Sequence, residues 1–261
     1  MLLLAVLVAV FAPYLAPFPP LKQDLAHTLA RPGRPYLLGT DNVGRDVLSR
    51  VVWGTRISLV AGFASVLVAA VAGSLVGLLA GFAGGRADGV TMRLMDAVLS
   101  FPPLVLALAL GAVLGADVTG VVIALGVVYT PTFARLMRGQ VLGIKGSEYV
   151  DAARTLGTSG WRICWRHVLP NAATPIVVQA SLSVAFAILA EASLSFLGLG
   201  VQPPTPSWGM ALADGKEYLI TAWWMATFPG LAIMTVVLCM NVLGDGVRDW
   251  LEPRMRQGGG P

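Results

Sequence analysis

Side chains able to do chemistry are scarce in this chain, and their spacing removes most reaction classes. His27 and His167 lie far apart with no partner pattern, and Cys164 and Cys239 form neither a disulfide framework nor a metal-ligand spacing. No catalytic residue and no metal ligand is assigned on these grounds. The sequence GxxxxGK[ST] is absent, so the chain offers no phosphate-cradling loop and is not expected to hydrolyse ATP. Energy for any uphill work must then come from another polypeptide or from an ion gradient. Three carboxylates stand out by isolation: Glu191 after a long apolar run, and Asp96 and Asp117 at the ends of others. A transporter coupled to an ion gradient needs ionisable groups within the membrane, and this supply is thin, which makes a stand-alone secondary transporter or channel the distant alternative.

The densest polar stretch in the second half is EYVDAARTLGTSGWRICWRHVLPN, from Glu148 to Asn171. Apolar runs flank it, Val118 to Ala134 and Val168 to Ala190, each about as long as a bilayer crossing requires. Tyr149, Ala152, Ala153 and Leu156 recur at spacings of three and four, predicting one face of a short helix. Gly157 can end that helix in the left-handed conformation. Thr158 or Ser159 can cap a second helix, expected from Gly160 to about Val168 and stopped by Pro170.

The elements that hold this platform must be membrane spans. Of 261 residues, 56% are hydrophobic and 12% charged, a composition far outside that of soluble domains. The 30 glycines agree, since helices in lipid associate through small residues. A formal charge of +4 on such a chain gives no reason to expect a nucleic-acid partner. The expected fold is all-α and polytopic, with about six transmembrane helices and the platform between the fourth and fifth. Met1 to Leu21 is uncharged and long enough to span, though its prolines end the helix early. A cleaved signal peptide is the rival reading, but it lacks a basic start.

Val47, Leu48, Val51 and Val52 oppose Arg45, Ser49 and Arg50, with Asp46 placed to pair with Arg50, predicting a short helix on the membrane surface. Ile57 to Ala83 is uncharged and longer than the bilayer core, so it must tilt or protrude. Gly73, Gly77 and Gly81 mark one face of it for close helix contact, within the subunit or at a subunit interface. A loop is expected over Gly84 to Arg93, then an apolar run from Ala97 to Ala116 broken early by Pro102 and Pro103. Glu191 falls about 28 Å along a helix entering at Ala172, near the edge of the apolar core. Pro203, Pro204 and Pro206 predict an irregular loop, and Tyr218 to Gly244 the last span. With the platform inside, the inner segments hold more of the Lys and Arg residues than the outer ones, which favours a cytoplasmic platform and C-terminus.

Asp151-Ala152-Ala153, Gly157 three residues on, and the distant Leu169-Pro170 resemble the EAA loop of bacterial ABC importer permeases. That family has Glu-Ala-Ala, three residues, Gly, nine residues, Ile, one residue and Leu-Pro; here Asp151 replaces Glu and His167 replaces Ile. Four further blocks resemble the dipeptide, oligopeptide and nickel permeases, in particular the second permease of dipeptide-type heterodimers. They are GTDNVGRDVLSRVVWGTRISL from Gly39, MRLMDAVLSFPP from Met92, AEASLSFLGLGVQPPTPSWGMALADG from Ala190 and GDGVRDWLEPR from Gly244.

The resemblance implies a type I ABC importer permease fold in a bacterial plasma membrane. Its expected divisions are a first span and extracytoplasmic segment over 1–56, a transmembrane domain over 57–250 with a coupling loop at about 136–171, and a cytoplasmic tail over 251–261 whose end is disordered. It implies a homologous permease subunit, two ABC ATPase subunits carrying ATP and Mg, and an extracytoplasmic substrate-binding protein, all assembled in membrane lipid. The implied cargo is a peptide, with nickel or another small solute as the alternative. Coupling to the ATPase is carried over to Glu148, Tyr149, Asp151, Ala152, Ala153, Arg154, Leu156, Gly157, Leu169 and Pro170. Glu191, Ser195 and Asp96 are assigned to the translocation path or its gate.

Overall fold

The computed structural model describes residues 2–251, and of Leu2 only the backbone. The expected tail over 251–261 therefore lies almost wholly outside the described residues. In chain order the helices are α1 (Leu2–Val10), α2 (Ala12–Leu15), α3 (Val47–Ala83), α4 (Gly85–Leu99), α5 (Pro103–Leu114), α6 (Val118–Lys145), α7 (Glu148–Thr155), α8 (Gly160–Ile163), α9 (Leu169–Phe196), α10 (Trp208–Gly215) and α11 (Trp224–Leu251). No strand occurs among the described residues, only an isolated bridge between Thr40 and Asp46.

Among the described residues four helices are long and apolar enough to cross a bilayer: α3, α6, the stretch Gly160–Phe196 and α11. Helices α4 and α5 are together apolar enough to count as one further span, but they meet at 90°, the geometry of a broken span or a re-entrant loop. Pro102 and Pro103 cause the break, because neither can donate the amide that a continuous helix needs there. The remaining apolar segment is α1 followed by α2, with Pro13 inside the first turn of α2, where its missing amide costs nothing.

Three expectations are corrected. The surface helix over residues 47–56 is the start of α3, whose 37 residues make a rod roughly 55 Å long. Its presumed wet face is not wet: Ser49 and Arg50 are buried. Asp46 is taken by Ser49, whose amide and hydroxyl donate to its carboxylate at 2.8 and 2.6 Å, so it does not pair with Arg50. Finally, the loop expected at residues 84–93 is helical, and only the positive φ of Gly84 and Gly85 separates α3 from α4.

The chain divides into two compact units. The first contains the residues through Ser65, Ala107–Leu125 and Val184–Asn241. Its irregular segment before α3 is fastened by charge and by two indoles. Asp41 accepts from Arg45 and Arg50, both at 2.6 Å, and Asp214 accepts from the same two guanidinium groups at 3.3 and 3.0 Å. The buried indoles of Trp208 and Trp224 donate to the carbonyls of Val51 and Thr40 at 2.9 and 3.0 Å. Val47, Ala222, Trp224 and Met225 make an apolar cluster beside them. Further out, the Tyr36 hydroxyl and His27 hold the partly buried Asp24 carboxyl below the usual carboxylate range.

The second unit contains, among the described residues, Val66–Leu106, Gly126–Ser183 and 242–251. Here α3 lies directly against α6: a Cβ on Gly73 would sit 2.4 Å from the Thr130 carbonyl oxygen, and one on Gly77 only 2.1 Å from that of Ala134. The glycine face is therefore filled from within the subunit. Arg138 on α6 grips Asp88 on α4 with two bonds of 2.5 and 2.7 Å, a fork geometry that fixes both helices. Lys145 donates to the Phe82 carbonyl at 2.5 Å, closing the C-terminal end of α3 with a cation.

Two consequences can be measured on the purified protein. Gly77→Val should lower the melting temperature in detergent, with an overpacking cost of about 1–3 kcal/mol, and an unchanged melt would show that α3 and α6 do not touch there. Asp41→Ala leaves Arg50 buried with half its acceptors, so it should cost about 3 kcal/mol and loosen the segment before α3 to limited proteolysis.

Candidate functional site: the exposed helical platform

The platform is built from a tight turn between two short helices. The first, α7, ends in a paired closure: the Thr158 amide donates to the Ala153 carbonyl at 3.1 Å and the Gly157 amide to that of Arg154 at 2.9 Å. This closure requires a left-handed residue, and Gly157 supplies it with φ +75°. Ser159 precedes α8 in extended conformation but its hydroxyl accepts no cap hydrogen bond, so backbone geometry alone starts that helix. Arg154 pairs with Asp151 across one turn of α7 at 2.7 Å, on a surface where such a pair adds little stability.

The predicted face of α7 divides in two. Val150 and Ala153 are buried, while Tyr149, Ala152 and Leu156 face outward, with Leu156 85% exposed. Trp161 on α8 is 66% exposed and packs edge-on against Trp165 at 5.3 Å. Glu148, Asp151, Arg154 and Gly157 are exposed as well. The exposed Tyr149, Leu156 and Trp161 form an apolar surface beside the charged side chains of Glu148, Asp151 and Arg154. Trp161 was not singled out from the sequence, although its spacing of four from Trp165 was visible.

Pro170 does not end the second helix. Residues Cys164–Val168 form a π turn, and the Leu169 amide donates to the Cys164 carbonyl, so α8 runs through it into α9. The wider turn places Pro170 in the first turn of α9, where an imino nitrogen is tolerated. Leu169 is half-buried and Pro170 exposed at this junction.

The residues assigned to the path separate. On α9, the Ser195 hydroxyl donates to Glu191 at 2.9 Å and accepts from the Val201 amide at 3.0 Å; both side chains are fully buried in the first unit. The Ser58 hydroxyl is buried beside the Glu191 carboxyl. Asp96, in the second unit, is instead half-exposed and bonded to Arg135 at 2.5 Å. Asp117 acts locally, accepting from the Gly120 amide at 2.6 Å to cap α6. Among the described residues no group of His, Cys, Asp and Glu is placed to hold a metal.

Residues 73–257 match the family of binding-protein-dependent transport system inner membrane components. A di/tripeptide transport system permease of Pseudomonas aeruginosa is 45% identical over 98% of this chain and 86% of its own length. A probable D,D-dipeptide transport system permease of Escherichia coli and a glutathione transport system permease of Pectobacterium atrosepticum are each 43% identical, over 97% of this chain and 85% of theirs. Among solved structures, two inward-facing forms of the MetNI methionine ABC transporter share the fold. Their TM-scores are 0.64 and 0.63 at 17% and 20% identity, covering 77% and 78% of this chain and 96% and 97% of theirs. The chain therefore belongs to the binding-protein-dependent inner-membrane transport family. It is a multi-pass membrane permease subunit of the ABC importer class and not itself an enzyme.

The turn can be tested without disturbing a neighbour, because a Cβ on Gly157 would meet nothing within 4 Å. Gly157→Ala should cost about 1 kcal/mol through the left-handed backbone alone. Hydrogen exchange of the Gly157 and Thr158 amides should quicken accordingly. Gly143→Ala on α6, equally open but with ordinary helical φ, should be neutral or slightly stabilising.

Proposed function

We propose that this chain forms half of the translocation path of an ATP-driven peptide importer and is coupled to a separate ATPase subunit through residues 148–170. The observation that carries this is the exposure of Tyr149, Leu156 and Trp161 on a platform continuous with a membrane-spanning helix. The names of the relatives support a peptide as cargo. The partners in this reading are a homologous permease, two ATPase subunits that bind ATP and Mg, and a substrate-binding protein on the other side of the membrane. The platform and the C-terminus are then cytoplasmic.

The mechanism follows from stiffness. A helix transmits displacement along its axis because each turn is bonded to the next, whereas a flexible loop absorbs it. Movement imposed on α7 and α8 by nucleotide-driven closure of the ATPases passes through the π turn into α9. Glu191 and Ser195 lie near the far end of that same helix, and we place the gate of the path there. Glu148, Asp151 and Arg154 provide polar contacts around the apolar centre of the docking face, while Ala152 and Gly157 allow a partner backbone to approach. Asp96, held by Arg135, contributes charge near the inner end of its helix. The two alternating states are rigid-body arrangements of helices, and ATP selects between them by binding one more tightly.

In proteoliposomes holding the full complex and its binding protein, Gly157→Trp should leave ATP hydrolysis measurable while lowering uptake at least tenfold. A cysteine at Leu156 should cross-link to an ATPase subunit. Wild-type uptake by Gly157→Trp, with no cross-link from Leu156, would refute the coupling role. Uptake of labelled dipeptide over Ni2+ is the expected cargo result, and the reverse preference would replace peptide by metal while leaving the coupling role intact.

A further inference from the structure

A cavity of about 350 Å3 opens between α1 and α3 in the first unit, and six of its seven lining residues are apolar. On α3 the lining residues are Arg56, Leu59, Val60 and Phe63, whose spacings of three, four and seven put them in one row along the helix. Val6 and Val10 of α1, four residues apart, form the opposite wall. Val60 is 52% exposed, Phe63 42% and Val10 62%, so this strip is open along its length. α1 belongs to an uncharged run, and on α3 Arg56 is the last charged residue before the run Ile57 to Ala83. Arg56 is exposed and makes no hydrogen bond or ion pair among the described residues, unlike Arg45 and Arg50 on the same side of that run.

A cation at the head of an apolar strip, where a helix enters lipid, meets the phosphate level of one leaflet. The strip from Arg56 to Phe63 is about 10 Å long, enough for the upper part of one acyl chain. The guanidinium presents several N–H donors in a planar fork that matches a phosphate, and its charge is always present. No carboxylate lines the cavity to receive the ammonium of a zwitterionic headgroup, so the uncompensated charge is +1 and selects a headgroup of net negative charge. We propose that this groove is a binding site for one anionic phospholipid, with its phosphate on Arg56 and an acyl chain along Leu59, Val60 and Phe63. The site is independent of the cargo and of the coupling platform.

The test is native mass spectrometry of the delipidated permease complex titrated with dioleoyl phosphatidylglycerol or dioleoyl phosphatidylcholine. The wild-type complex should retain phosphatidylglycerol about fivefold more tightly than phosphatidylcholine, the size expected for one arginine at the headgroup level. Arg56→Gln should abolish that preference, Arg56→Lys should keep most of it, and Val60→Trp should fill the strip and weaken both lipids. Inorganic phosphate should not displace the bound lipid, since the acyl chain contributes to binding. Equal retention of the two lipids by the wild type, or an unchanged preference in Arg56→Gln, overturns the proposal. So does displacement by inorganic phosphate alone, which would make Arg56 a simple anion site. A disulfide from a cysteine at Val60 to the companion permease would show that protein, not lipid, covers this face.

Discussion

The structure depends on the helical course staying continuous from Gly160 to Phe196, although Pro170 and Pro175 within it donate no amide. Pro170, in its first third, ought to interrupt it, and the π turn at Cys164–Val168 prevents this by shifting the bond of Leu169 back to Cys164. Without that shift the polar helix would hang from the membrane span by a hinge. With it, the short helix that carries the exposed Trp161 runs directly into α9. The Gly157 closure extends the arrangement to α7, because a left-handed residue lets the chain reverse while still satisfying its terminal carbonyls.

Charge is handled differently in the two units, and in each case it holds helices that hydrophobicity cannot. Between lipid-embedded helices there is no strong apolar driving force, so contact relies on small residues and polar bonds. In the second unit Gly73 and Gly77 bring α3 onto α6, and the Asp88–Arg138 fork then adds α4. In the first unit two arginines and two aspartates neutralise one another beneath a segment with little regular structure. Removing one member leaves another charged group desolvated, which explains why buried arginines here mark structure. Arg56, lacking such a partner among the described residues, stands apart from that pattern.

The Glu191 site follows the same economy without a cation. Its carboxyl is bonded to Ser195, and Ser195 in turn holds the Val201 amide at the start of the proline-containing loop. The end of α9 is thereby tied to the chain that leads into α10, whose first turn is capped by Ser207. A movement of α9 must carry this polar corner with it, a physical reason to look there for a gate.

The sequence by itself determined the helical membrane class, the turn at Gly157, the family and the platform's position between spans. These rest on local chemistry: apolar runs of spanning length, a glycine at a helix end and a motif with fixed spacing. Only the tertiary structure decided which of two adjacent alanines faces outward, since Ala152 and Ala153 look alike until the rest of the unit covers one of them. It also decided that Arg50 bonds to Asp41 and Asp214 while Asp46 caps Ser49, because spacing along a helix cannot foresee a carboxylate 164 residues away. Pro170 was readable as a stop only because a π turn, set by packing and not by propensity, leaves no signal of its own in the residues that form it.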